Sequence, residues 1–230
     1  MIFLDLTVKN DKALIVFARL PVEGKAKTRL AKDIGDKNAA SFYRVCAEHL
    51  FSEVRETKKP GVDLFLFYSN RVEADRIKEW VGDDFSFYAQ IGDDLGIRML
   101  NAFDSVFKIG YEKIIIVGTD VPEMNSGLLE EAFSELDKND FVIGQSTDGG
   151  YYLLGMKFLT EDIFKGINWG TATVFNSTIN MLDRKKVRYS ILKKLIDIDT
   201  KQDLVQWLTE TNKLPDHSVR MFVESISEFL

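Results

Sequence analysis

The chain has 230 residues, 45% of them hydrophobic and 29% charged, with four prolines; this suits one large α/β domain and excludes a disordered, collagenous or low-complexity polypeptide. Thirty basic against 36 acidic residues leave a net charge of −6, which argues against a protein whose main partner is a nucleic-acid backbone. The single cysteine, Cys46, cannot form an intramolecular disulfide, the opening Met1 to Asp5 is too short and acidic for a signal h-region, and no apolar run reaches membrane-spanning length, so a cytoplasmic protein without a membrane span is expected.

The first element is the unbroken apolar run Ala13 to Ala18, which reads as a central strand covered on both faces. It leads into Ala18-Arg19-Leu20-Pro21-Val22-Glu23-Gly24-Lys25-Ala26-Lys27-Thr28-Arg29-Leu30. Between Arg19 and Lys32 five cations (Arg19, Lys25, Lys27, Arg29, Lys32) stand against one anion, Glu23. A Pro/Gly-broken basic loop at the C-terminal end of a buried strand lies where open α/β sheets bind ligands. Glycine permits close backbone approach, lysine offers point charges and arginine a forked donor, so the loop can wrap a polyphosphate; its plainer reading is a solvated surface loop. It is not a Walker A sequence, because no glycine precedes Lys27-Thr28, and no GxGxxG occurs in the chain.

A helix is predicted over Lys37 to Thr57, with Phe42, Cys46, Leu50 and Val54 at four-residue steps. Its His49 reads as structural, since neither His49 nor His217, the two histidines, belongs to a zinc-ligating pattern. A strand over Leu64 to Tyr68, a helix over Glu73 to Val81 and a strand over Phe85 to Ala89 follow. Gly92 to Met99 is a loop running into a helix over Leu95 to Phe107; Arg98 either meets an anion or base there or pairs with Asp94 one turn back. The strand Ile114 to Val117 is followed at once by Gly118-Thr119-Asp120-Val121-Pro122, which places Asp120 at the same sheet edge as the basic loop. One carboxylate plus phosphate oxygens is a typical magnesium arrangement; the competing reading of Asp120 is a turn aspartate before Pro122.

Asn125-Ser126 starts a helix running to Asp137, and a strand is predicted over Phe141 to Ile143. Gly144-Gln145-Ser146-Thr147-Asp148 resembles a nucleophile elbow, but Asp148 stands where the strained turn needs glycine, which sets a serine hydrolase aside. In Asp148-Gly149-Gly150-Tyr151 the paired glycines let a ligand approach the backbone at the start of a strand over Tyr151 to Leu154; Asp148 either binds a hydroxyl or closes a tight turn. After a helix over Thr173 to Asp183, the cations Lys185, Lys186, Arg188, Lys193 and Lys194 lack any glycine or strand-end context and read as a solvated face. Asp197-Ile198-Asp199-Thr200, with Asp203 three residues on, reads as a helix cap, or in the bolder reading as a second metal carboxylate. Val219, Phe222, Val223, Ile226 and Phe229 then space a terminal helix over residues 215–230, docking on a domain of residues 1–214. Strands alternating with helices predict a layered α/β sandwich.

Phe17-Ala18-Arg19-x-Pro21 with Gly24-Lys25-x-Lys27-Thr28-Arg29-Leu30, then Leu95-Gly96-x-Arg98-Met99, Gly118-Thr119-Asp120-x-Pro122, Asp148-Gly149-Gly150-Tyr151-Tyr152 and Trp169, taken in order over about residues 12–205, resemble the DUF2064 group of glycosyltransferase-like proteins. That group is related to the guanylyltransferases of coenzyme F420 and molybdenum cofactor synthesis. The resemblance implies a GT-A, nucleotide-diphospho-sugar transferase fold: a three-layer α/β/α sandwich on a mostly parallel sheet, with the nucleotide over the first basic loop and a divalent ion on Asp120. Three positions depart from the pattern: Glu23 and Gln145 where prolines are common, and Ile97 where an acidic residue is common.

The function expected from these readings is a metal-dependent transferase using a nucleotide-diphospho-sugar donor and a small-molecule acceptor, with Mg²⁺ or Mn²⁺ on Asp120 and Asp199. Lys27 and Arg29 act with Asp120 on the departing phosphates, while Ala18, Arg19, Gly24, Lys25, Thr28, Gly96 and Arg98 complete the nucleotide site. Asp148, Gly149, Gly150, Tyr151 and Trp169 take the sugar or acceptor. The alternatives are a nucleotidyltransferase releasing pyrophosphate from a nucleoside triphosphate, and a catalytically silent nucleotide-binding module.

Overall fold

A computed structural model of the chain describes residues 10–58, 61–69, 74–211 and 218–229. His217 and the division expected at residue 214 lie outside the described residues. Seven strands form one sheet: β1 (Lys12–Ala18), β2 (Val62–Tyr68), β3 (Ser86–Ala89), β4 (Lys113–Gly118), β5 (Phe141–Ser146), β6 (Tyr151–Met156) and β7 (Tyr189–Leu195), in the order β3-β2-β1-β4-β6-β5-β7. All pairings are parallel except those of β6, which runs antiparallel to both β4 and β5. The reversal follows from the two-glycine turn at Gly149 and Gly150, which joins β5 to β6 as a hairpin where the other connections cross over through helices.

The helices are α1 (Ala31–Ile34), α2 (Asp36–Lys58), α3 (Ala74–Val81), α4 (Leu95–Ile109), α5 (Ser126–Lys138), α6 (Val174–Lys185), α7 (Lys201–Glu210) and α8 (Ser218–Ser225). Their starts are locally encoded. Asp94 accepts the Ile97 amide at α4, Asn125 the Leu128 amide at α5, and Thr200 forms a capping box with Asp203 at α7. β1 is buried on both faces, as its unbroken apolar run predicts: Leu14 and Val16 pack with α2 and α5, whereas Ala13 and Ile15 pack with Phe103 and Val106 of α4. A third cluster lies beyond α2, where Phe42 and Cys46 meet Trp207 of α7 and Val219 and Val223 of α8.

Two elements differ from the sequence expectation. Lys193 and Lys194 are exposed, as the solvated-face reading expects, but they belong to β7, a sheet-edge strand in which Leu192 and Leu195 are buried. Pairing with β5 and the buried Leu192 and Leu195 make the stretch a strand, and the exposed lysines on its free edge oppose pairing with another chain. The short α1 after the basic loop has no counterpart in the sequence expectation; Leu30 and Ile34, one turn apart, are buried in the third cluster and fold it against α2.

Candidate active site

The parallel strands deliver the predicted Arg19, Asp120, Asp148 and Asp199 to one edge, together with Ser69, Gln90 and Asp197, which the sequence reading did not assign to the site. Arg19 follows β1, Ser69 follows β2, Gln90 follows β3, Asp120 lies two residues past β4, Asp148 lies beyond β5, and Asp197 and Asp199 lie beyond β7. A cavity of about 240 Å³ opens there, with Arg19, Ser69, Gln90, Arg98, Asp120 and Tyr151 in its wall. A second, of about 210 Å³, is lined by Arg19, Lys25, Lys27, Thr28, Arg29, Tyr43, Asp120 and Asp199. Arg19, Tyr43 and Asp120 belong to both walls, so the two cavities adjoin at one end of the sheet and together make up the crevice.

The basic loop is shaped by its small and apolar residues. Gly24 takes φ 72°, a left-handed value that a side chain rarely adopts, and the Lys25 and Ala26 amides turn back onto the Val22 carbonyl at 3.0 and 3.1 Å. Ala26 and Leu30 are fully buried, which fixes the loop from beneath. Arg19, Lys25, Thr28 and Arg29 therefore face outward, but Lys27, next to Ala26, is carried inward with its own φ at 47°. Its side chain is only 3% exposed, and its Nζ lies 2.6 Å from Asp120 Oδ1, 3.2 Å from Asp199 Oδ1 and 3.7 Å from Asp197 Oδ1. Arg29 reaches the other Asp199 oxygen at 3.3 Å.

Burial opposes a charge at Lys27, but the Asp120, Asp197 and Asp199 carboxylates outweigh it and hold the ammonium protonated well above the usual lysine range. Burial, then the neighbouring Asp120 carboxylate, push Asp197 upward against the pull of Lys27. The three carboxylates come from two strand ends that the backbone ties together, since the Ile198 amide donates to the Asp120 carbonyl at 3.1 Å.

Tyr43 of α2 joins the two loops from below. Its hydroxyl accepts from the Arg19 amide at 3.0 Å and from Thr119 Oγ1 at 3.1 Å, linking the ends of β1 and β4. Burial, reinforced by Asp120, raises its pKa to about 12, so it stays neutral at any physiological pH. Sequence reasoning missed Tyr43 and Asp197. Tyr43 sits beside Phe42 in an apolar helix stripe, and its only signal was a hydroxyl on a buried face. Asp197 lies within the quoted Asp-Ile-Asp segment and could have been found by its alternation with Asp199 about the buried Ile198.

Other predicted residues are placed differently. Arg98 is in the wall of the larger cavity and does not pair with Asp94; its Nε donates to the Gly92 carbonyl at 2.9 Å. Asp148, Gly149, Gly150, Gly96 and Trp169 line neither cavity. Asp148 Oδ1 accepts from Ser146 Oγ and, at 3.0 Å, from the Gly150 amide, closing the β5–β6 turn. Gly149 has φ 89°, and a Cβ there would meet the Ala172 carbonyl oxygen at 2.2 Å. A Cβ on Gly96 would lie 2.3 Å from the Trp169 indole, which stacks on Phe164 with centroids 6.5 Å apart and meets Tyr151 edge-on at 6.4 Å. His49 Nε2 lies 3.0 Å from the Met124 carbonyl oxygen, a structural contact.

Among the described residues no group of three or more His, Cys, Asp and Glu side chains is arranged as a ready metal cage. The donor set nonetheless fits a hard divalent ion. Its oxygens are carboxylate oxygens, and the Asp120 and Asp199 side chains remain 39% and 47% exposed at the crevice. An ion that keeps its waters and shares phosphate oxygens needs only one or two of them. Among the described residues no helix is long and apolar enough to cross a membrane.

A mostly parallel seven-stranded sheet with helices on both faces and a charged crevice at its strand ends defines a transferase of the nucleotide-diphospho-sugar transferase fold. The chain belongs to the DUF2064 family, described as an uncharacterized protein conserved in bacteria, whose pattern matches residues 53–171. It is similar to a candidate nucleotide-diphospho-sugar transferase from Desulfovibrio desulfuricans G20, with 30% identity, TM-score 0.88 and 96% of each chain covered. The fold alone is shared with 4-diphosphocytidyl-2C-methyl-D-erythritol synthase from Anaerococcus prevotii DSM 20548, at 13% identity and TM-score 0.57 over 88% of this chain and all of that one. It is also shared with Rv0371c from Mycobacterium tuberculosis H37Rv, solved as a manganese complex, at 13% identity and TM-score 0.54 over 86% and 98% of the two chains. No curated protein matches the sequence.

Proposed function

We propose that this protein is a metal-dependent transferase that takes a nucleotide-diphospho-sugar donor and passes its sugar to a small acceptor. The observation that carries this reading is the meeting of the basic loop and three carboxylates in one crevice, with Lys27 Nζ 2.6 Å from Asp120. Arg19, Lys25 and Arg29, all exposed at the smaller cavity, meet the donor's phosphate oxygens, and Arg29 offers the planar fork that suits them. The larger cavity, walled by Phe17, Leu95, Met99 and Tyr151 with Ser69, Gln90 and Arg98 at its polar points, takes the nucleoside. Gln90 donates its Nε2 to the Phe67 carbonyl at 2.8 Å, which leaves its Oε1 to accept from the base. Asp148 uses Oδ1 within its turn and keeps Oδ2 for an acceptor hydroxyl.

Asp120, with Asp197 or Asp199, would hold Mg²⁺ or Mn²⁺, which supplies charge neutralisation for the departing nucleoside diphosphate. The residues named above bind and orient; the chain's fixed cations face the same phosphates, so the leaving group is stabilised without reorganisation. Three outward cations around one small cavity also suit a triphosphate, and this favours the second reading, nucleotidyl transfer with pyrophosphate leaving.

A thermal-shift panel of nucleoside triphosphates and nucleotide sugars with Mg²⁺ or Mn²⁺ tests the proposal, since a ligand at a hundred times its Kd adds about 2.7 kcal/mol of apparent stability. A shift by at least one nucleotide sugar, followed by release of nucleoside diphosphate in its presence, is the expected result. Pyrophosphate release from a triphosphate would instead select the second reading, and a flat melting temperature across the panel would overturn both.

A further inference from the structure

We infer that Lys27 is the resident counter-ion of the carboxylate cluster and makes capture of a divalent cation conditional on a bound polyphosphate. The inference rests on the metal reading of Asp120 and deepens it by assigning an order of binding.

Lys27 differs from every other cation of its loop. Arg19, Lys25 and Arg29 point into solvent at the crevice, whereas the Lys27 side chain is 3% exposed and its Nζ has three carboxylates within 3.7 Å. An ammonium has three donors and no acceptor; Asp120 at 2.6 Å and Asp199 at 3.2 Å engage two of them, and Asp197 at 3.7 Å adds its charge, so the group is committed to the carboxylates before any phosphate arrives. The residue is also held at its backbone: φ is 47°, its carbonyl accepts the Ala31 amide at 2.8 Å, and the neighbouring Ala26 is fully buried. Swinging Lys27 outward would break that turn and leave three carboxylates converging without a counter-charge, which a partly buried site does not tolerate.

The charge count gives the consequence. Even with Asp120, Asp197 and Asp199 all ionised, Lys27 and Arg29 return two positive charges against three negative ones, so the cluster keeps at most a single net negative charge, and the upward push on Asp197 lowers it further. The ammonium occupies the point on which the carboxylates converge, while the exposed faces of Asp120 and Asp199 remain turned to the crevice. One or two carboxylate faces beside a fixed positive charge hold a bare Mg²⁺ or Mn²⁺ poorly. A polyphosphate on Arg19, Lys25 and Arg29 brings both the missing negative charge and the missing oxygen ligands. Without the ammonium, the three carboxylates would attract the bare ion directly.

The test measures bound Mn²⁺ by EPR on the full chain, alone and with a nucleoside diphosphate. Wild-type protein is expected to hold Mn²⁺ at least tenfold more tightly with the nucleotide than without it. Lys27→Met should bind bare Mn²⁺ at least tenfold more tightly than wild type, and Lys27→Met combined with Asp120→Asn should lose that gain. Lys27→Arg, which keeps the charge, should stay within threefold of wild type for the bare ion. If Lys27→Met folds only with Mn²⁺ present, the metal dependence of its melting temperature, against an unchanged wild type, gives the same result. Equal bare-ion affinity in wild type and Lys27→Met, with the nucleotide-dependent gain intact, would overturn the role of Lys27 and leave the metal reading standing. Failure of all variants to retain Mn²⁺ even with the nucleoside diphosphate would overturn both.

Discussion

Two regions singled out by their motifs, the proposed phosphate side and the proposed acceptor side, are built on different physical principles. On the phosphate side, charges converge from segments 172 residues apart, Lys27 with Asp199, and what positions them is electrostatic pairing around a buried ammonium. On the proposed acceptor side, the residues of equally prominent motifs line neither cavity and are spent on space: Gly96 lies against Trp169, Gly149 against Ala172, and Asp148 closes its own turn. A motif can thus mark either a chemical group or an absence of side chain, and the two kinds respond to mutation differently. Changes to Asp120 and to the outward charges on the phosphate side, unlike loss of the buried Lys27, should act on turnover with little effect on folding. Added atoms on the acceptor side should act first on stability.

The strongest test of that contrast is Asp120→Asn. The asparagine keeps the shape, and Lys27 retains Asp197 and Asp199, so the melting temperature should move by only a few degrees. Metal-dependent turnover should fall by roughly 100-fold or more, the scale on which a positioned electrostatic group acts. Full activity in this variant would remove the phosphate side's claim to chemistry. Gly96→Ala probes the other side. Its Cβ would stand 2.3 Å from the Trp169 ring, and shifting a packed indole costs about 1–3 kcal/mol, or roughly 2–10 °C in melting temperature for a chain of this size. An unchanged melting curve would mean that the Gly96–Trp169 contact is not what the glycine is for.

Tyr43→Phe tests the joint between the two loops. Removing the hydroxyl leaves the partly buried Arg19 amide without its acceptor, a loss of about 1 kcal/mol, and frees the end of β1 from that of β4. Nucleotide affinity should fall about tenfold as the shared wall loosens, measured by calorimetry beside the melting curve. A loss of stability with unchanged affinity would reduce Tyr43 to packing.

Much of this architecture is legible in the sequence because burial on two faces leaves an unbroken apolar run, as at Ala13 to Ala18 and Ile114 to Val117, and because caps such as Asn125 and Thr200 act through their immediate neighbours. The edge strand β7 is less legible, since only Leu192 and Leu195 of its last four residues are buried and its lysines face solvent. The site divides in the same way. Its location at the ends of β1 and β4 follows from local order along the chain. The inward turn of Lys27 does not, because five cations in one loop look alike until Asp120, Asp197 and Asp199 arrive from distant segments. The direction of β6 depends on a hairpin turn that a reading of strands and helices alone leaves open.

The smallest expected effect separates two cations of the same loop region. Arg29 is 66% exposed, lines the smaller cavity and pairs with Asp199 at 3.3 Å; Lys32 is exposed on α1 and lines neither cavity. A surface pair of this kind adds only about 0–1 kcal/mol to stability, so Arg29→Ala should melt like wild type. It should nonetheless weaken nucleoside diphosphate binding by about three- to tenfold, because a forked donor to phosphate is lost. The deficit should shrink as salt is raised, since the contact is solvent-facing and screening already weakens it in wild type. Lys32→Ala should bind as wild type does at any salt. Calorimetric titration of both variants at low and high salt decides the matter: equal losses would mean that the crevice senses the summed charge of the loop, and that the outward set drawn here, Arg19, Lys25 and Arg29, has no special claim on the phosphates.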